Sequence, residues 1–341
     1  MSLLASTIGL AERAPLPDIA LKAGVGALVG GARRSLARHT LATEADFARE
    51  MENHPIAEHP ADANAQHYEL PQEFFGRALG PHRKYSCCLY GPGAETLAQA
   101  EAKALAETCE HADLADGQTI LELGCGWGSL SLWMAERYPN ATITSVSNSH
   151  SQRAYIEETA KARGLTNLAV ITADMNDFET AEQFDRIVSV EMFEHMSNWR
   201  ALLTRVRGWL KPQGRVFIHV FTHATTPYRF DHTDDADWIG RYFFTGGIMP
   251  SHGLIGRFPD LFTVEADWRW NGRHYQRTAL DWLANYDRDA EQIMTILKGA
   301  YGDEAGVWFK RWRLFFLATA GLFGHAGGET WGVSHYRLRA A

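Results

Sequence analysis

Cysteine is scarce in this chain of 341 residues: Cys87, Cys88, Cys109 and Cys125 are the only four. Their spacing matches no zinc site, and two of them are adjacent, so a reduced, cytoplasmic protein is the simplest expectation. Positive charge is also short. Lys and Arg number 33 against 41 Asp and Glu, a net charge of -8, which excludes a general nucleic-acid binder because no cationic excess is left to neutralise phosphates. Long apolar runs are missing. The most apolar early stretch, Ala20 to Gly31, is glycine-rich and contains Lys22, so no membrane span and no stable membrane insertion are expected. The amino terminus lacks a basic start followed by an apolar core, and Glu12 and Asp18 interrupt it, so no signal peptide is expected. No internal repeat is present.

What remains is ordinary globular composition, 45% hydrophobic and 22% charged, in a length that allows one large domain with additions or two smaller ones. Residues 1–66 read as an appended helical region and linker: Leu16 to Ala37 has helical spacing weakened by Gly24, Gly26, Gly30 and Gly31, Ala42 to Met51 is a further helix, and His54 to Asn64 is a linker. Residues 67–341 form the main domain. In it, strands at Thr119–Leu123, Thr142–Val146, Leu168–Thr172, Asp185–Val190 and Arg215–Phe221 alternate with helical stretches, among them Ser129–Tyr138, Ser149–Arg163 and Trp199–Leu210. Such alternation predicts an α/β fold, a mostly parallel sheet with helices on both faces and a ligand at the carboxyl ends of the strands. Residues 222–259 are long, polar and aromatic without periodicity, which reads as a lid or substrate-shaping insertion. Beyond it come a strand at Leu261–Trp270, helices at Thr278–Ala300 and Ala305–Phe323, and a last strand at Thr330–Leu338.

The organising stretch is Thr119-Ile-Leu-Glu-Leu-Gly-Cys-Gly-Trp-Gly128. An apolar strand runs into a turn through Gly124, Gly126 and Gly128 and then into a helix, an arrangement that lets backbone approach a polar ligand and aims free N–H groups at it. The glycines fall as G-x-G-x-G, which is not the G-x-G-x-x-G of dinucleotide sites. With Glu122 ahead of it, the pattern resembles motif I of the class I S-adenosylmethionine (SAM) methyltransferases. The second strand ends without the acid that commonly holds a ribose, and Ser147, Asn148 and Gln152 supply hydrogen-bonding groups there instead. The third strand ends at Asp174-Met175, an acid placed to accept from an adenine amino group, with a helix cap or turn residue as the lesser alternative.

Further markers are Tyr85-Ser86-Cys87, Phe193-Glu194-His195, His219, Gly246-Gly247 with Pro250-Ser251, and Arg273-His274-Tyr275. Together they resemble the cyclopropane fatty acid synthase and coclaurine N-methyltransferase branch of SAM enzymes, over about residue 67 to the carboxyl terminus. The resemblance implies a Rossmann-like fold, with Tyr85 and Ser86 near the sulfonium and methionine part of SAM, Ser147 and Gln152 at the ribose, and Asp174 and Met175 at the adenine. It also implies that Cys87, Glu194, His219 and Tyr275 match positions holding a bicarbonate in the cyclopropane synthases. Val190-Glu-Met-Phe-Glu-His-Met196 is closer to the N-methyltransferases, because Glu191 stands where the lipid enzymes carry a small or apolar residue.

The expectation is therefore SAM-dependent N-methylation of a small hydrophobic amine, with Glu191, Glu194, His195, His219 and Tyr275 in the reacting centre. An amine must lose a proton before it can attack, and Glu191, Glu194 and His195 are placed to take it. The alternatives are transfer of the SAM methyl carbon to an unsaturated acyl chain, with bicarbonate as auxiliary, and a non-catalytic SAM- or lipid-binding protein. Cys87 is not expected to be a nucleophile, since methyl transfer needs no covalent enzyme intermediate. His219 and His223 lack the carboxylates a metal site would need. Oligomeric state is not encoded in any of these patterns; a homodimer is the assembly they leave open.

Overall fold

A computed structural model of the chain describes residues 12, 16–38, 43–58, 70–93, 95–234 and 237–341. The centre of the expected linker and its boundary at residues 66 and 67 lie outside these. Seven strands form one sheet in the order β3-β2-β1-β4-β5-β9-β8. β1 (Thr119–Leu123), β2 (Thr142–Ser147), β3 (Leu168–Thr172), β4 (Phe184–Val190) and β5 (Leu210–His223) are mutually parallel. β8 (Phe262–Asn271) and β9 (Trp331–Ala340) add antiparallel to the β5 edge. A small pair, β6 (Tyr228–Arg229) and β7 (Ile248–Met249), lies in the insertion.

Side-chain alternation along the strands assigns the two faces of the sheet. Leu121, Ile187, Val216 and Ile218 face a core shared with Trp199, Leu202 and Leu203 of a helix at Trp199–Gly208. Ile120, Ile143, Val188 and Phe217 face the opposite core, with the helices at Leu97–His111 and Ser129–Arg137. In chain order the helices are α1 (Asp18–Arg38), α2 (Glu44–Glu50), α3 (Gln72–Ala78), α4 (Leu97–His111), α5 (Ser129–Arg137), α6 (His150–Ala162), α7 (Trp199–Gly208), α8 (Trp238–Tyr242), α9 (Arg273–Arg288), α10 (Ala290–Tyr301) and α11 (Ala305–Gly324). A third, aromatic-rich core joins α1, α3, α9 and α11 to the insertion through Phe74, Trp282, Trp312 and Phe243.

Three expectations are corrected. The helix expected over Thr278–Ala300 begins earlier, at Arg273, and breaks at Asp289 into α9 and α10. The break redirects the chain so that Ile293 and Leu297 bury in the aromatic core. β5 begins at Leu210, before the expected stop at Lys211-Pro-Gln-Gly214, and the extra residues are absorbed where its register against β4 shifts. The expected linker is partly core: Ile56 and Ala57 are buried in the same cluster as Leu121 and Leu123, and Asn176 clamps Ala57 by both backbone groups at 3.0 and 2.9 Å.

Candidate active site

The carboxyl ends of β1 to β4 open onto two cavities that share Gly124, Gly126 and Glu191. One, of about 730 Å3 and partly open to solvent, is lined by Ser147, Asn148, Gln152, Asp174, Met175 and His195, among others. The other, of about 560 Å3, is lined by Lys84, Tyr85, Ser86, Glu122, Trp127 and Ser129 in addition to the shared residues. The turn after β1 is what leaves this space. Gly124 has φ +76°, and a Cβ there would stand 2.5 Å from Met192 Cγ. Gly126 has φ +52°, and a Cβ there would meet no atom within 4 Å. Only glycine serves both needs, close approach at the first and open backbone at the second.

Several buried groups on these walls have no partner among the described residues. Ser147 Oγ donates to Gln152 Oε1 at 2.6 Å and accepts from the Ser149 N–H at 3.0 Å, which leaves Gln152 Nε2 unpaired. Trp127 Nε1 and Ser129 Oγ are likewise unpaired in the second cavity. Buried donors without partners are costly, so their clustering around two joined cavities fits a polar, elongated ligand such as an adenosyl-methionine. Asp174 lines the first cavity, and its Oδ1 also accepts from the Asn176 N–H at 2.8 Å, so it has the turn role as well. Glu122 is turned into the sheet. It accepts from Ser131 and, at 2.9 Å, from Ser145, and burial pushes its carboxyl up to about 7 against those bonds.

The expected reacting residues converge on Glu191. Its Oε1 accepts from the Cys87 N–H at 2.9 Å and lies 3.1 Å from His219 Nε2, while its Oε2 accepts from the Tyr275 O–H at 2.6 Å. Glu191 directly follows β4 and has φ +46°, a left-handed conformation uncommon for a residue with a Cβ. Burial raises its proton affinity, while Lys84 and the Cys87 and Tyr275 hydrogen bonds lower it. Lys84, missed by sequence reasoning, is fully buried and donates through Nζ to Ser86 Oγ at 2.5 Å and to the Cys87 carbonyl at 2.7 Å. It lies next to the Tyr-Ser-Cys motif, but no spacing rule marks it.

Glu194 is 1% exposed, and neither of its carboxyl oxygens has a partner among the described residues. Burial, and then the charge on Glu191, raise it well above the carboxylate range. The two acids thus divide one proton: Glu191, with three partners, keeps the charge, and Glu194 stays neutral. His195 lines the first cavity and stacks on Phe244 of the insertion at 5.1 Å. Burial raises the Cys87 thiol far above its ordinary range, which removes the nucleophile idea. His223 turns elsewhere, and its Nδ1 accepts from the N–H groups of Thr225 and Thr226.

A bicarbonate does not fit this arrangement. The groups that the resemblance offers it at Cys87, His219 and Tyr275 are all engaged by the carboxylate of Glu191, and Glu194 adds only a neutral carboxyl. The chain's own anion occupies the place.

Residues 57–327 match the family described as mycolic acid cyclopropane synthetase. The chain belongs to this family. Within it, the chain is 36% identical over 275 residues to (S)-coclaurine N-methyltransferase of Thalictrum flavum subsp. glaucum, covering 79% of this chain and 76% of the relative. It is 32% identical over 271 residues to the cyclopropane-fatty-acyl-phospholipid synthase of Escherichia coli (strain K12), covering 79% and 66%. The crystal structure of coclaurine N-methyltransferase bound to N-methylheliamine and SAH superposes with a TM-score of 0.93 at 32% identity, over 99% of this chain and 100% of that one. This member of the mycolic acid cyclopropane synthetase family is a SAM-dependent methyltransferase with the class I fold.

Proposed function

We propose that the protein N-methylates a small hydrophobic amine. The observation that carries this reading is the seating of Glu191, whose carboxylate occupies the groups a lipid-type bicarbonate would need and presents a buried anion to the acceptor. An amine enters from water as an ammonium, and a buried carboxylate beside an apolar wall attracts it. Met192 and Met196 line that wall, and the packing behind its His195 is aromatic: Phe244 stacks on the imidazole and packs on Phe221 and Phe230. The insertion 222–259, which supplies Phe230 and Phe244, shapes the acceptor site. The similarity to coclaurine N-methyltransferases supports the same reading.

SAM, when bound, supplies a methyl carbon activated by the adjacent sulfonium. Gln152, with Ser147 and Asn148, would hold the ribose, Asp174 and Met175 the adenine, and Tyr85, Ser86 and the Gly124–Gly128 turn the remainder, with Glu122 bracing that turn from beneath through Ser131 and Ser145. Glu191 receives the acceptor's proton. Its burial makes it a stronger base than an exposed carboxylate, and its three partners hold it in one orientation. Neutral Glu194 avoids a second charge beside it, and His195 lines the cavity as an alternative acceptor of the same proton. Residues 67–341 form the methyltransferase domain, and residues 1–66 an extension whose Ala57 helps to wall the site.

The test is incubation with labelled SAM and either a panel of aryl-alkyl amines or vesicles of unsaturated phospholipid. Label in an amine product is expected. Label appearing only in lipid would overturn the reading in favour of acyl-chain chemistry, and SAM binding without transfer to either would leave a non-catalytic binding protein.

A further inference from the structure

A row of imidazoles leaves the site behind Glu191. His219 Nδ1 lies 2.8 Å from His335 Nε2, and His335 Nδ1 lies 2.8 Å from His111 Nδ1. With the 3.1 Å approach of His219 Nε2 to Glu191 Oε1, the chain of hydrogen bonds is unbroken from the cavity to α4. The rings come from β5, β9 and α4, and His219 and His335 are directly paired across the two strands. Both are completely buried and walled by Trp270, with Phe217 against His335. His111 stacks on Trp268 at 3.8 Å and is the end that reaches the surface, its side chain 11% exposed. Its Nε2 faces Glu107 Oε1 at 3.8 Å, too far for a direct hydrogen bond.

We propose that His219, His335 and His111 form a proton relay that carries the acceptor's proton from Glu191 to the surface beside Glu107. This rests on the amine-methylating reading above. An ammonium acceptor must break one N–H bond before the new N–C bond forms, and with the acceptor covering Glu191 the proton needs another way out. With the rings protonated at His219 Nδ1, His335 Nδ1 and His111 Nε2, Glu191 gives its proton to His219 Nε2. Three shifts follow: His219 Nδ1 to His335 Nε2, His335 Nδ1 to His111 Nδ1, and His111 Nε2 to water. One proton enters, one leaves, and each ring ends in its other tautomer. After product departs, His111 Nε2 takes a proton from water, the reverse shifts reset the rings and return one proton from His219 Nε2 to Glu191, and Glu191 releases that proton to water at the open mouth.

The electrostatics suit this use. Burial, and then Lys84, hold His219 neutral, and burial with the neighbouring rings does the same for His335, so each has one N–H and one lone pair to pass a proton between. The groups facing the row are Glu191, Cys87, Tyr275 and Lys84 at the inner end and Glu107, Glu110 and Arg337 at the outer end.

The test compares the wild-type full chain with His111→Gln and His335→Gln, all checked for native melting. With a methylated secondary amine, His111→Gln should leave KM within about twofold and lower kcat at least about tenfold, as expected when a positioned acid-base path is lost. Added imidazole should restore part of that loss, and the acid limb of the kcat profile should move to higher pH. Wild-type kcat and pH profile in His111→Gln would overturn the relay while leaving amine methylation standing, as would a loss that neither imidazole nor pH alters. Nitrogen-15 NMR of histidine-labelled protein reads the row without turnover. Two N–H···N protons bridging the rings should be present in wild type and lost in His335→Gln. Their absence from wild type would overturn the relay, whereas wild-type protein that methylates no amine would overturn the functional reading instead.

Discussion

Glu191 is a carboxylate made into a fixture. Its left-handed backbone, its bonds to Cys87 and Tyr275 and its approach to His219 hold the side chain in a single place. Glutamine at this position has nearly the same shape and keeps one oxygen to accept from the Cys87 N–H, while its NH2 can donate to the Tyr275 oxygen, but it cannot take a proton. Glu191→Gln is therefore expected to lower amine methylation about 100-fold or more while SAM affinity changes only a few-fold. Turnover with the amine panel and calorimetry with SAM check this, and unchanged turnover would remove Glu191 from the chemistry. The importance of Glu191 was legible because it breaks an otherwise lipid-like motif. The residues that aim it were legible only in part: His219 and Tyr275 stand in recognisable motifs, whereas Lys84 and His335 come from separate stretches that only the closed sheet and the packed α9 bring together.

At the scale of elements, an aromatic-rich core joins α1 and α11 to the rest of the chain. α1 lies on α11 at Gly321, where any Cβ would fall within the Val25 side chain, and Arg313 of α11 pairs with Asp18 at the start of α1 at 2.6 Å. Gly321→Val should force the two helices apart. A melting temperature lower by a few degrees and faster proteolysis within α1 are expected, and an unchanged melting curve would show that this contact carries little. The glycines that weakened the helical reading of α1 are tolerated because its face is stabilised by packing, which intrinsic propensity does not register. Similarly, the break at Asp289 had no clear signal in the periodicity, since both halves carry helical spacing and only the direction of burial differs.

For the whole molecule, buried acids set how stability responds to pH. Burial pushes Glu101 and Glu122 up to about 7, and both begin near 4.5 in the unfolded chain. Below about 4.5 they are protonated in both states. Between about 4.5 and 7 the unfolded chain loses protons that the folded one keeps, so these groups make stability fall as pH rises through that window. Asp185, lowered to about 2 with Lys211 and Thr119 as partners, acts oppositely, its contribution being lost only as pH falls below about 4. Melting curves of Glu122→Gln should show a smaller decline between pH 4.5 and 7 than wild type, by up to roughly 3 kcal/mol in unfolding free energy at one pKa unit per 1.36 kcal/mol. The same slope in both proteins would mean that Glu122 ionises freely in the fold.

The sequence by itself determined the parallel strands and the glycine turn, because these rest on local periodicity and on short-range spacing within one strand-turn-helix unit, and its resemblance to a SAM methyltransferase motif supplied the class of methyl donor. It also placed Glu191, Glu194 and His195 at the end of a strand, where such folds hold ligands. Only the tertiary structure decided what those residues face. The carboxylate of Glu191 meets donors from positions 87 and 275 and the imidazole of position 219, and the imidazoles of positions 111, 219 and 335 align in a row. These contacts bridge 28 to 224 residues of chain. They exist because β9 returns antiparallel beside β5 and α4 packs across that face, and no local pattern carries that information.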